Sequence, residues 1–341
     1  MAYKLRTVLV GCGGISGRWL DDAKKVEDLE IVGLVDINEA AAKARKEEFG
    51  LADAAVGTDL EQMLDSAKPD AVFDCTVPEA HIKVTLAAFE RGCHVLGEKP
   101  LADNMENARK MVEAAQKAGL TYAVIQNRRY NPNICAYRDF IASGRIGDMT
   151  TLNSDFYIGA HFGGFRDRMK HVLLVDMAIH SFDQARFISG ADPVAVYCKE
   201  WNPSGSWYDH DASAIAVFEM SNGIIYTYRG SWCAEGLNTS WECDWRAVCQ
   251  KGSATWNGGD GYKAQAVTES GGFFSKWEDV EITVPESCMR RGHEGVISEF
   301  VDSIRTGEAP QTLCSDNIKS LAMCFAAVES AETGKRVEIR I

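Results

Sequence analysis

The sequence predicts a two-domain α/β chain: a doubly wound parallel sheet first, then an α+β domain with a large, mainly antiparallel open sheet. Three observations predict it. From residue 4 to about 126, short apolar runs alternate with longer segments whose apolar residues recur every three or four positions. After residue 128, strand-like segments follow one another without intervening helices. The first apolar run also ends in a glycine cluster, Gly11-Cys12-Gly13-Gly14. At 341 residues the chain has room for two such domains. Their boundary is expected near residue 126, giving domains 1–126 and 127–341.

In chain order, apolar runs at 7–10, 31–35, 71–75, 94–96 and 122–125 read as strands, with a short one at 54–56. They are continuous rather than alternating, as strands covered on both faces must be, and that implies a parallel sheet. Helices are predicted over 16–27, 39–49, 60–67, 79–91 and 104–118; Val84, Ala87 and Ala88 show the spacing. The second half begins with helices at 134–143 and 173–188. Strands follow at 150–157, 194–200, 214–220, 224–228, 245–250, 254–257 and 280–284, with Ser221-Asn222-Gly223 as a tight turn. Helices at 294–305 and 316–333 close the chain. Seven of the 8 tryptophans lie between 201 and 277. A half-buried sheet face or a subunit interface accounts for them better than sugar stacking. Such a face would be a large apolar surface if exposed, so a homodimer or homotetramer is expected.

Apolar residues make up 46% and charged residues 25%, which excludes wholesale disorder and collagen-like repeats. The 36 basic and 49 acidic residues give a net charge of −13, which argues against a nucleic-acid partner. The opening MAYKLRTVLV reads as a first strand rather than a signal peptide. No run of about 18 apolar residues suggests a membrane partner. The 11 cysteines are odd in number and scattered, with no C-x-x-C pair. That fits neither a disulfide framework nor a zinc ribbon, and it points to a reducing, cytoplasmic setting.

The glycine cluster follows a strand and opens a helix, the context that a dinucleotide-binding turn needs. Gly11 allows the tight turn, Gly13 lets the backbone approach a pyrophosphate, and Ser16 fills the third, small-residue position. The helix start supplies free N–H groups and positive dipole. Asp36 ends the second strand, 25 residues after Gly11. A carboxylate there accepts from ribose hydroxyls and repels a 2′-phosphate, so NAD is expected over NADP. A simple helix-capping role for Asp36 is the alternative.

Three further stretches carry a family resemblance: Cys75-Thr76-Val77-Pro78-Glu79-Ala80-His81, Gly97-Glu98-Lys99-Pro100-Leu101 and Asp176-Met177-Ala178-Ile179-His180. With the glycine turn, they resemble the Gfo/Idh/MocA family over essentially the whole chain. The resemblance implies a Rossmann domain, a nicotinamide cofactor and oxidation of a hydroxyl, most often on a sugar or cyclic polyol. It implies the catalytic trio Lys99, Asp176 and His180. It also implies cofactor contacts at Gly11, Gly13, Gly14, Ile15, Ser16, Asp36, Thr76, Pro78, His81, Glu98, Lys99 and Gln126. Many members carry a glycine triplet before the Asp, where this chain has Lys170-His171-Val172. Side chains such as His171 would then take over contacts to the substrate. The subtype looks like sugar-catabolic members, with a pentose such as apiose as the substrate.

The chemistry is consistent with those residue types. Histidine titrates near neutrality, so His180 suits the base that takes a hydroxyl proton. Asp176, four residues earlier, would share its helix face and orient the imidazole. Lys99 would stabilise a developing alkoxide, and a cis Lys99–Pro100 bond would be one way to aim it. Asp183 reads as a supporting or capping residue. Arg128, Tyr130, His161 and Arg166, with Asp176 and His180, are the expected substrate contacts. No third ligand accompanies Asp176 and His180, so no metal is expected. Two other readings compete: a sugar sensor without catalysis, which would be expected to lose the Lys or His, and an NAD-dependent glycosidase.

Overall fold

The computed structural model describes residues 4–285 and 291–341. These fall into two compact units, 4–127 with 291–321, and 128–285 with 322–341. Cys288 lies outside the described residues.

The first unit opens with β1 (Leu5–Val10), α1 (Gly14–Ala23), β2 (Leu29–Val35), α2 (Glu39–Glu48), β3 (Ala55–Gly57) and α3 (Leu60–Ala67). It continues with β4 (Ala71–Asp74), α4 (Pro78–Glu90), β5 (His94–Gly97), α5 (Met105–Ala118) and β6 (Tyr122–Val124). The strands form one parallel sheet in the order β3-β2-β1-β4-β5-β6. The order reverses at β1, and ligands bind such sheets at that switch point. Register brings the strand ends into line: Val10 pairs with Val35 and with Asp74, and Asp74 pairs with Gly97. The residues that follow those ends are therefore neighbours, although the sequence separates them by tens of residues. The strand interiors are fully buried at Val8, Leu9, Val72, Phe73 and Leu96, as the continuous apolar runs required.

The second unit contains α6 (Pro132–Ala142), β7 (Met149–Tyr157), a π-turn (Leu173–Met177) leading into α7 (Ala178–Ser189), β8 (Pro193–Trp201), β9 (Ser213–Met220) and β10 (Ile225–Ser231). Next come β11 (Asp244–Cys249), β12 (Gly252–Trp256), β13 (Tyr262–Glu269) and β14 (Lys276–Asp279). Its sheet runs β14-β13-β12-β11-β7-β10-β9-β8-β15, where β15 is Val337–Glu338. Every pairing is antiparallel except β10 with β7. One face carries the core, in which Phe182 of α7 meets Phe218 edge-on at 4.8 Å and Tyr226 stacks on Trp245. The other face is exposed at Tyr197, Ile215, Val217 and Trp277. The expected tight turn is present: Gly223 has φ +80°, and its N–H donates to Met220 O at 2.9 Å.

Three expectations need correction. The strand expected at 280–284 lies earlier, as β14; Val280 is buried just past its end, its N–H donating to Ala264 O at 2.8 Å. Strand β13 was missed because its inward residues include Ala264 and Ala266, whose small side chains give little apolar signal. Domain 127–341 is not continuous in space. Helix α8 (Gly292–Thr306) buries Val296, Ile297, Phe300 and Val301 within the first unit, with Phe300 6.2 Å from Phe73. Leu313 then bridges to Ala123 before α9 (Cys314–Thr333). No helix among the described residues is long and apolar enough to cross a membrane.

Candidate functional site

In the first unit the glycine turn is built as its residue types demand. Gly11 has φ +87°, and a Cβ there would come within 2.7 Å of the Cys75 carbonyl group. Only glycine lets the end of β1 pass so close to the end of β4. A Cβ at Gly13 or Gly14 would meet nothing within 4 Å, so the backbone at the start of α1 lies open. Asp36 braces the turn, accepting the Cys12 N–H at 2.7 Å on Oδ2 and the Asn38 N–H at 2.8 Å on Oδ1. An ionised carboxylate has about four acceptor sites, so capacity for ribose hydroxyls remains. Ser16 is buried, and its hydroxyl donates to Gly13 O at 2.6 Å. Ile15 stays 42% exposed beside it.

Arg45 was not anticipated. From α2 its Nε donates to the Ser16 hydroxyl at 3.0 Å, its Nη2 to Gly13 O at 2.9 Å, and its Nη1 to Glu48 at 2.5 Å. It thus fastens the second crossover helix to the glycine turn. No motif marks it, because a long side chain reaches 29 residues back.

Beyond β4, the Thr76 hydroxyl and N–H both donate to Asp74 Oδ1, at 2.6 and 3.0 Å. Pro78 opens α4. Gly11, Gly13, Asp36, Thr76 and Lys83 line a groove of about 640 Å³ beside the turn. The open glycine backbone, the helix start and the acceptor at Asp36 fit a dinucleotide. His81, expected at the cofactor, is fully buried. Its ring nitrogens sit 3.1 Å from the carbonyls of Thr76 and Pro100, bracing two loops. Glu98 is buried too, accepting Trp19 Nε1 at 2.8 Å and the Lys99 N–H at 2.9 Å. Burial raises its carboxyl above the usual range. Gln126 has no exposed surface. The Lys99–Pro100 peptide is cis. Burial and the charge of Asp36 push the Cys12 thiol up to about 12, so it is inert.

In the second unit Asp176 stands in the π-turn and His180 in the first turn of α7, where His180 is 9% exposed. The helix expected to run unbroken from 173 therefore starts with a widened turn, a feature frequent at functional sites. Arg166 Nε donates to Asp176 Oδ2 at 2.7 Å, and its guanidinium packs 5.0 and 4.8 Å from the rings of Phe162 and Phe165. Arg128 is buried and committed to the Trp241 carbonyl, to Met177 Sδ at 3.4 Å and to Glu242 at 3.7 Å. Tyr130 is buried as well. His161 is exposed, stacks on Trp207 at 3.7 Å and bonds Glu235 at 2.9 Å. Asp183 holds Arg129 through both oxygens, at 2.6 and 2.7 Å, a buried pair that fixes α7. The ring of His171 bonds Glu200 at 2.6 Å. Of the second-unit tryptophans, Trp232, Trp245 and Trp256 are core, whereas Trp241 is 49% exposed.

Comparison with known proteins accords with this arrangement. Residues 5–126 match the family model described as an oxidoreductase family with an NAD-binding Rossmann fold, and residues 134–255 match the GFO/IDH/MocA C-terminal domain. The 1,5-anhydro-D-fructose reductase of Ensifer adhaerens is 26% identical, over 97% of both chains. The D-glucoside 3-dehydrogenase of Escherichia coli is 31% identical over 65% of this chain and 68% of its own. An oxidoreductase from Agrobacterium radiobacter, solved with NAD+, L-tartaric acid and magnesium, superimposes with a TM-score of 0.84 at 21% identity, covering 98% of each chain. A glycine turn braced by its acidic partner, in a chain matched by the models of both family domains, makes this protein an NAD-binding oxidoreductase of the Gfo/Idh/MocA family.

Proposed function

We propose that this protein is a dehydrogenase that oxidises a hydroxyl of a small sugar or cyclic polyol. The observation that supports it best is the Arg166–Asp176 pair at 2.7 Å, which fixes a carboxylate four residues before a histidine of α7. NAD, when bound, supplies the hydride acceptor. Gly11, Gly13, Gly14, Ile15, Ser16, Asp36, Thr76 and Pro78 would hold it, with His81, Glu98 and Gln126 in support.

In this reading His180 takes the hydroxyl proton through its imidazole. Asp176, its direction set by Arg166, orients the imidazole or a neighbouring substrate hydroxyl. Lys99 places a cation against the developing alkoxide. Arg166 reads substrate hydroxyls together with Asp176. Arg128 and Tyr130, being buried, shape the wall rather than touch substrate directly, and His161 serves at the rim. A pentose such as apiose belongs in the first substrate panel. The setting is a reducing cytoplasm, which suits buried thiols such as Cys75 and Cys93.

Lys99→Met and His180→Ala should each lower kcat by about 10²–10⁴-fold, far more than either weakens NAD binding. A near-normal kcat in either variant removes that residue from its role. Release of free sugar from aryl glycosides without net NADH would replace the dehydrogenase by a glycosidase.

A further inference from the structure

His171 immediately precedes the helical segment that contains the π-turn and Asp176. Its φ of +53° is left-handed, a region that residues other than glycine seldom occupy. Its carbonyl accepts the Val175 N–H at 2.9 Å, so the helical hydrogen bonding starts on this residue. Its side chain is anchored at both ends. Nδ1 lies 2.6 Å from Glu200 Oε2 at the end of β8, and Nε2 lies 3.4 Å from Glu332 Oε1 near the end of α9. One ring thus ties three segments of the second unit together.

The surroundings are acidic. Glu200 has a side chain only 2% exposed, its Oε1 is buried without a hydrogen-bond partner, and Asp211 adds a further negative charge nearby. An imidazole can donate from both ring nitrogens only as imidazolium. The bond to Glu200 holds the His171 pKa above its ordinary 6.5, while burial pushes the Glu200 carboxyl up.

We propose that His171, as imidazolium, is the positioning residue for Asp176: clamped between Glu200 and Glu332, it fixes the left-handed backbone from which the π-turn starts. The proposal rests on the reading of Asp176 as a catalytic group. Loss of the proton removes one of the two charge-assisted bonds and leaves Glu200 and Glu332 without their cation, with Asp211 adding its repulsion to Glu200. The turn then loosens, and kcat falls on the alkaline side.

His171→Gly separates backbone from clamp, since glycine adopts the left-handed region freely but bonds neither carboxylate. Its kcat should fall about tenfold to a hundredfold, with the KM for NAD unchanged, and that alkaline fall should disappear. His171→Asn, which tolerates the same φ and can bond one carboxylate, should recover part of the loss. Asp176→Asn is measured alongside. If it keeps wild-type kcat, the reading of Asp176 fails. If it is impaired while His171→Gly keeps wild-type kcat and pH profile, the clamp fails. NMR titration of the wild-type His171 ring covers the case in which the variants do not fold. A midpoint above 6.5 is expected, and one at or below it overturns the proposal.

Discussion

Both oxygens of Asp36 already accept main-chain N–H groups, from Cys12 and Asn38, so this carboxylate shapes the turn that it helps to make a binding site. Asp36→Ala should raise the Kd for NAD about tenfold or more, ~1.4 kcal/mol, by calorimetric titration; an unchanged Kd would remove Asp36 from the cofactor. Gly11→Ala meets a harder obstacle, a left-handed φ and backbone within 2.7 Å. It should cost about 1–3 kcal/mol in unfolding free energy and weaken NAD binding as well. At this scale the sequence was legible where chemistry and local backbone coincide. The glycine turn is a local feature and is built as expected, with Asp36 beside it, and the 99–100 peptide is cis, which the sequence allowed but did not require. It was illegible where a side chain reaches far. Nothing marked Arg45 as the fastening of the turn. Nothing showed that Arg128 is committed to Trp241, Met177 and Glu242, or that the ring of His81 is committed to the carbonyls of Thr76 and Pro100.

Most helices and strands of the first unit followed from periodicity because they bury an apolar face, although α2 buries only Ala42 and β3 no residue at all. Helix α1 shows how such an element reaches the site. Its Trp19 is fully buried against Phe73 at 5.2 Å, and its indole N–H donates to Glu98, the neighbour of Lys99. Trp19→Phe keeps most of the packing but leaves a buried carboxylate oxygen without its donor. A loss of about 1–3 kcal/mol in chemical denaturation is expected; no loss would show that Glu98 finds another partner. In the second unit periodicity misled in two places. Small inward alanines hid β13, and a regular three-to-four spacing over 173–188 concealed the π-turn. The widening depends on the left-handed residue before it and on the carboxylates of two distant elements, none of which local pattern records.

Two histidines should contribute to the molecule's stability with opposite pH dependence. His293 of α8 is half-buried beside Trp19, near Arg18, and desolvation lowers its pKa from 6.5 to about 4. Between those values the unfolded chain binds a proton that the folded chain does not, so this group's contribution to stability is full above 6.5 and is lost as pH falls toward 4. His293→Phe should flatten that acid limb in thermal melts; an identical limb would assign it elsewhere. His171, with a raised pKa, contributes stability that is full below 6.5 and lost as pH rises through its folded value. We also infer that a second copy of the chain covers the exposed sheet face bearing Tyr197, Ile215, Val217 and Trp277. Light scattering should give a dimer or tetramer, and Ile215→Lys with Val217→Lys should shift it to monomer. A monomeric wild type would end that inference.

The most direct test of the account is NADH formation when the wild-type protein is mixed with NAD and a panel of aldoses, pentoses and inositols. At least one compound should yield NADH in step with its oxidised product, and His180→Ala should abolish this while still binding NAD. Tight NAD binding with no turnover of any compound would contradict it and leave a sugar sensor in its place.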